Sequence, residues 1–215
     1  LELAAVALET LRRLDKLDPG GLLLLGDAYH NLELNELSLD AYQECLQGRG
    51  NLSAGRFMRV ASILIDRGSY QAGFRYLDQI EQQFADGMGE DDQLQLLALK
   101  ANIKLTTGQD DEAAKLLKQI LEKNPLDGKA LLLLGTHAWK KGSHAEASIH
   151  FERAAKVKEH EVKALIQHAR MQVELREYEK AVELLERAQF LKPQEDVGRY
   201  LSSVRNAMIA AKSYR

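Results

Sequence analysis

From Leu94 onward, side chains of matching size return every 34 residues: blocks starting at Leu94, Gly128 and Val162 carry Ala101, Gly135 and Ala169 at the eighth position. At the twentieth stand Ala113, Ala147 and Ala181, followed four residues later by Leu117, Phe151 and Leu185, and then by Ile120, Ala154 and Ala188. Pro125 and Pro193 close the first and third blocks. A fixed period of this length makes each block one supersecondary unit, with two amphipathic helices that cannot bury their apolar stripes alone and must stack on neighbouring blocks. Gly135 and Ala147 are expected where the two helices of a block cross, because a larger side chain would hold the backbones apart. Phe151 would fill the space beside them, and the prolines would stop the second helix and start the next turn.

This order of small, large and proline positions resembles the tetratricopeptide repeat family. The resemblance implies an all-α fold, a right-handed α-solenoid of about five helix-turn-helix repeats with an N-terminal helix and a C-terminal capping helix. Gly68, Tyr70, Gly73, Leu77 and Ile80 match the middle of a block beginning near Ala54. Leu22, Leu25, Gly26, Tyr29, Ser38, Tyr42 and Cys45 match one beginning near Pro19. The expected repeats are therefore 19–53, 54–93, 94–127, 128–161 and 162–195. The second is six residues longer than the period, and Asp86-Gly87-Met88-Gly89-Glu90-Asp91-Asp92 reads as the inserted solvated loop. Ahead of the first repeat, Leu3, Val6, Ala7, Leu11 and Leu14 trace the second helix of an earlier, truncated repeat. After the last, Val197, Tyr200, Leu201, Val204, Met208 and Ala211 trace a capping helix over 196–213 with a more polar outer face. With three prolines and no low-complexity stretch, residues 1–215 are expected to form a single domain.

Hydrophobic residues make up 45 % of the chain, and no uninterrupted apolar run approaches the ~18 residues that a membrane helix requires. The expectation is a soluble protein without a transmembrane segment, either cytoplasmic or, as a mature fragment of a longer chain, periplasmic. The lone cysteine, Cys45, excludes an internal disulfide and reads as a buried structural thiol. Net charge is −3 but unevenly placed: residues 1–93 carry −8 and residues 94–215 carry +5. Such an imbalance could orient a partner or favour head-to-tail stacking, and solvated faces without a role account for it as well. No basic stripe with interleaved aromatics appears, so nucleic acid is not an expected partner.

No catalytic constellation is visible. The histidines at 30, 137, 144, 150, 160 and 168 form no HExxH arrangement, and the closest metal candidate, His160-Glu161 with His168, offers too few ligands on one face. Phosphate-cradling loops, nucleophile elbows and calcium loops are also absent, so no cofactor and no enzymatic activity are expected.

In the family that the chain resembles, the first helix of each block lines an inner groove through offsets 2, 5, 9, 12 and 13. Carried onto this sequence, those offsets give Leu23, Asp27, His30 and Asn31 in the first block, and Met58, Ser62, Ile65 and Asp66 in the second. The third gives Gln95, Ala98, Asn102 and Leu105; the fourth Lys129, Leu132, Thr136, Trp139 and Lys140; the fifth Lys163, Ile166, Arg170, Val173 and Glu174. A ligand mode of the family grips a C-terminal carboxylate with lysines at offset 5, and here Ala98, Leu132 and Ile166 stand at that offset. Asn102 and Arg170 fit the mode, whereas Thr136 departs from it.

The candidate groove is therefore apolar, through Met58, Ile65, Leu105, Leu132, Trp139, Ile166 and Val173, and bordered by Lys129, Lys140 and Arg170. Trp139, the only tryptophan, is either an anchor for a partner or a side chain packed between neighbouring first helices. The sequence thus points to a non-enzymatic scaffold that holds a peptide or helix of another protein. The alternative is a self-assembling module forming a homo-oligomer, or the repeat part of a larger assembly, secretion or regulatory protein.

Overall fold

A computed structural model describes residues 1–48 and 52–213; residues 49–51, inside the first expected repeat, lie outside the described residues. Among the described residues there are twelve helices and no strand. They are α1 (Glu2–Arg13), α2 (Pro19–Asn31), α3 (Asn35–Gln47), α4 (Ala54–Asp66), α5 (Tyr70–Gln83) and α6 (Glu90–Thr106). The remainder are α7 (Asp110–Lys123), α8 (Gly128–Lys140), α9 (His144–Ala154), α10 (Glu161–Glu174), α11 (Tyr178–Leu191) and α12 (Glu195–Ser213). The chain divides into two compact units, Leu1–Ile103 and Lys104–Arg215, with the boundary inside α6.

Helix starts are written locally. Asp18 caps α2 by accepting a hydrogen bond from the Gly21 amide at 2.7 Å, with Pro19 in the first turn, where its missing N–H costs nothing. Asp127 caps α8 in the same way, its Oδ1 lying 2.8 Å from the Ala130 amide. The stretch Asp86–Asp92 divides differently from the expectation of one solvated loop: Glu90, Asp91 and Asp92 form the first turn of α6. Three carboxylates at a helix N-terminus face the positive end of the macrodipole, which favours helix there.

In the first unit α2 pairs with α3 and α4 with α5. The core holds Tyr42, Phe57, Met58, Tyr76, Leu77 and Ile80, each fully buried. Each buried hydroxyl in this core has an acceptor: Tyr42 donates to Asp27 at 2.7 Å, and Tyr76 donates to the Tyr42 carbonyl at 3.1 Å. Ser38, standing where the last three repeats have Ala, donates to the Gly26 carbonyl at 2.9 Å and so remains compatible with the crossing. Lys100 is buried with its amine on Asp78 and Glu81, 2.5 and 2.8 Å away, and 5.5 Å from the Phe74 ring centroid.

In the second unit α8 pairs with α9 and α10 with α11, while α9 packs on α10 and α12 on α11. A Cβ added to Gly135 would lie 2.6 Å from Phe151 Cε1, and Phe151 is fully buried. The same relation holds in the first unit, where a Cβ on Gly26 would collide with the Tyr42 ring. Val197, Leu201 and Val204 of α12 close the core beside Ala181 and Leu185. Its outer side is polar and held by Arg205–Glu186 and Lys212–Glu179 ion pairs at 2.7 and 3.0 Å.

The turns inside repeats need a left-handed residue. Gly68, Gly108 and Gly142 supply it with φ of 77°, 74° and 77°, whereas Glu33 and Arg176 adopt φ of 61° and 60° despite their side chains. Replacing Gly142 with Ala should lower unfolding free energy by about 1–2 kcal/mol through that backbone cost alone. Gly135→Ala should cost about 1–3 kcal/mol by overpacking against an immobile ring. Gly87→Ala, whose Cβ would meet nothing within 4 Å, should change little. Urea denaturation of the three variants checks the ranking.

Candidate functional site

The expected groove residues fall in both units. In the first, Met58 is fully buried and Ile65 only 6 % exposed, so both belong to the core, whereas Asn102 is exposed. In the second, α8 and α10 lie side by side and bring most of the remainder together. Leu132 is buried at 5 % exposure, Leu105 is half-buried, and Thr136 donates its hydroxyl to the Leu132 carbonyl at 2.9 Å. Ile166 and Val173 are half-buried against the cluster that contains Leu185 and Leu201. Lys129, Lys140 and Arg170 are exposed. A first helix packs on its own partner and on the next first helix, and that double demand draws much of the apolar stripe inward.

Trp139 is part core and part surface. It packs on the cluster of Leu131, Phe151 and Met171 while remaining half-exposed, and its indole N–H donates to Glu174 Oε2 of α10 at 2.9 Å. Around it, Lys140 lies 3.3 Å from Asp110, while Lys141 lies 2.9 Å and His137 3.3 Å from Asp111. These bonds tie the acidic first turn of α7 to the basic last turn of α8, each charge complementing its own helix dipole.

Beside this face is a pocket of about 430 Å³ bounded by the α9–α10 loop, α10 and the α11–α12 loop. Lys158, Lys163, Arg170 and Lys192 line it, with Ile166 among its apolar members and Glu159 as its acid. Reading helix offsets alone finds Lys163, Ile166 and Arg170 but misses Lys158 and Lys192, which lie in loops. A signal was present: those two lysines are themselves 34 residues apart.

The histidines do not assemble into a ligand set, and among the described residues no three His, Cys, Asp or Glu side chains could hold a metal ion. The His160 ring lies against Gly128 instead, where a Cβ would collide with it. His168 is buried between Ser148 Oγ at 3.2 Å and Gln172 Nε2 at 3.0 Å. Desolvation lowers the pKa of His168 and of His150 below the usual imidazole value, against the opposing pull of Glu152 and Glu146. The Cys45 thiol, donating to the Pro19 carbonyl at 3.0 Å, is pushed up to about 11 by burial and is therefore not a poised nucleophile.

Comparison with known proteins adds to this geometry. Residues 99–159 match the tetratricopeptide repeat family model. Among solved structures, YrrB, described as a TPR protein with an unusual peptide-binding site, superposes with a TM-score of 0.64 at 17 % identity, covering 93 % of this chain and 99 % of that one. The chain has a tetratricopeptide-repeat fold. Pseudomonas aeruginosa pilF gives 0.62 at 14 % identity, over 94 % of this chain and 89 % of that one. The C-terminal part of a TPR repeat-containing protein from Cytophaga hutchinsonii gives 0.69 at 16 %, over 91 % and 79 %. A search of curated proteins finds no match. The family match spans α7, α8 and α9, where the tetratricopeptide spacing is unbroken in the sequence.

The two buried histidines set a pH dependence. Their folded pKa values lie below the unfolded value of about 6.5, so above that pH both states are neutral and neither group contributes. As pH falls through 6.5 the unfolded chain takes up protons first, and stability declines. Urea melts at pH 7.5 and 5 should show this loss, and His168→Gln, which keeps a hydrogen-bonding side chain, should reduce the difference between the two pH values.

Proposed function

We propose that this tetratricopeptide-repeat chain is a non-enzymatic scaffold that holds a peptide or helix of another protein on the α8–α10 face, with Trp139 as the anchor. The observation that carries the reading is the half-exposed Trp139, fixed by Glu174 and buttressed by core. A tryptophan held in one orientation loses little freedom when a partner covers it, and such residues carry a large share of interface energy. The likeness to YrrB, whose description includes a peptide-binding site, supports the same class of partner. No helix of the described residues is long and apolar enough to cross a membrane.

A second reading, self-assembly, is favoured by α1. Leu3, Val6 and Leu11 on that helix and Leu1 and Leu14 at its ends are 40–87 % exposed, a concentration of exposed apolar side chains in one place. An adjoining pocket of about 830 Å³ lined by Val6, Leu14, Tyr29, Leu32 and Leu34 extends it.

Trp139→Ala should weaken capture of the bound partner by about tenfold, or about 1.4 kcal/mol, in a pull-down followed by titration. Unchanged capture with an unchanged fold would dismiss the α8–α10 face. Sedimentation velocity of the wild type and of Leu3→Glu/Leu11→Glu tests the second reading: it predicts an oligomer for the former and a monomer for the latter.

A further inference from the structure

We infer that the pocket between the α9–α10 loop, α10 and the α11–α12 loop is the seat of an acidic polypeptide segment, whose carboxylates meet Lys158, Lys163, Arg170 and Lys192 while one apolar side chain covers Ile166. The inference rests on the reading of the α10 face as part of a partner-binding surface, and it names the chemistry of that partner.

The first ground is the gathering of four cations around one concavity. Many cations elsewhere on the second unit are matched, Lys140 and Lys141 with Asp110 and Asp111, Lys180 with Glu177, Arg187 with Glu161, Arg205 with Glu186 and Lys212 with Glu179, while Lys115, Lys129, Lys156 and Arg176 stand singly among the described residues. The four cations around the pocket have no ion-pair partner among the described residues, and the pocket holds one carboxylate, Glu159, against them. Four like charges around one concavity repel each other, and a ligand carrying two or more carboxylates relieves that repulsion.

The second ground is shape. A pocket of about 430 Å³ is within the range that small ligands occupy, and it accommodates a few side chains of a peptide. Its base includes half-buried Val162 and Ile166, and half-buried Gln167 and Gln194 supply neutral donors and acceptors between base and rim. Arg170 adds a planar fork suited to a carboxylate, and it lies close enough to Tyr200 to act on the phenol, whose pKa burial raises and the guanidinium lowers. A cationic rim over an apolar base suits a polypeptide that offers both kinds of group. A bare phosphate leaves the base uncovered, and a nucleic acid strand finds no aromatic stacking row.

The third ground is the repeat itself. Lys158 and Lys192 occupy the same offset in consecutive blocks, and both loops deliver them to one mouth. The pocket is thus bounded by loops on two sides and by a first helix on the third, and it adjoins the α8–α10 face through Ile166 and Arg170. A segment bound across Trp139 would reach it along α10.

The test uses the full chain and a fluorescein-labelled peptide in which glutamates flank a single leucine, read by anisotropy. Saturable binding is expected, weakened about tenfold or more when the glutamates become glutamines, and about tenfold by Lys163→Glu/Arg170→Glu. Lys115→Glu/Lys118→Glu on α7, away from the pocket, should leave affinity within about twofold, and circular dichroism should show both double variants folded. Replacing the leucine by serine should also weaken binding. Equal affinity for the glutamate and glutamine peptides overturns the inference, as does indifference to Lys163→Glu/Arg170→Glu. Displacement of the peptide by inorganic phosphate at concentrations where acetate has no effect would make this a phosphate site and overturns it too. Probe binding lost on Trp139→Ala yet kept in Lys163→Glu/Arg170→Glu defeats the pocket while leaving the α8–α10 face standing.

Discussion

Two helix crossings in this fold depend on the close approach of a glycine to an aromatic ring. At Gly135 and Phe151, and again at Gly26 and Tyr42, the first helix of a repeat comes so near the second that no Cβ fits between them. The packing of α9 follows from that approach. It lets Ala147 and Ala154 reach full burial on α9, and it brings α9 within reach of α10. Packing at this density leaves the first helices with their inner side as the place where larger groups can stand. Trp139 is one such group, resting on core yet still open to solvent.

Much of this was legible because the helices obey a strict period. The small and large positions of 94–195 predicted which residues cross and which fill, and Gly135, Ala147 and Phe151 stand where those spacings put them. The acidic stretch after α5 was less legible, since Glu90, Asp91 and Asp92 suit both solvent and a helix N-terminus, and only the tertiary setting of α6 decides between them. The groove was the hardest part. An offset states which way a side chain starts out from its helix, but not whether a neighbour will cover it, so Met58, Ile65 and Leu132 look in sequence like ligand-facing groups and prove to be largely buried.

Polar groups within the cores show how degenerate repeats keep the same geometry. Ser38 occupies a crossing position by returning its hydroxyl to the Gly26 carbonyl, and Tyr42 takes the role of Phe151 by donating to Asp27. Each substitution brings a hydrogen bond that removes the cost of burying it. Charge is handled similarly at Lys100, where two carboxylates and the Phe74 face surround a buried amine. Breaking both carboxylate contacts there would leave an ammonium in a poor solvent, so that cluster constrains the first unit more tightly than its partly exposed acids imply.

The turn residues carry a wider implication. Glu33 and Arg176 adopt the same left-handed backbone that Gly68, Gly108 and Gly142 adopt, although only glycine does so without strain. The turn is thus imposed by the helices it joins, not chosen by the residue within it. A connector dictated from outside is open to rewriting: its letters can drift, or be exchanged by an engineer splicing one block into another, while the surrounding architecture goes on enforcing the bend.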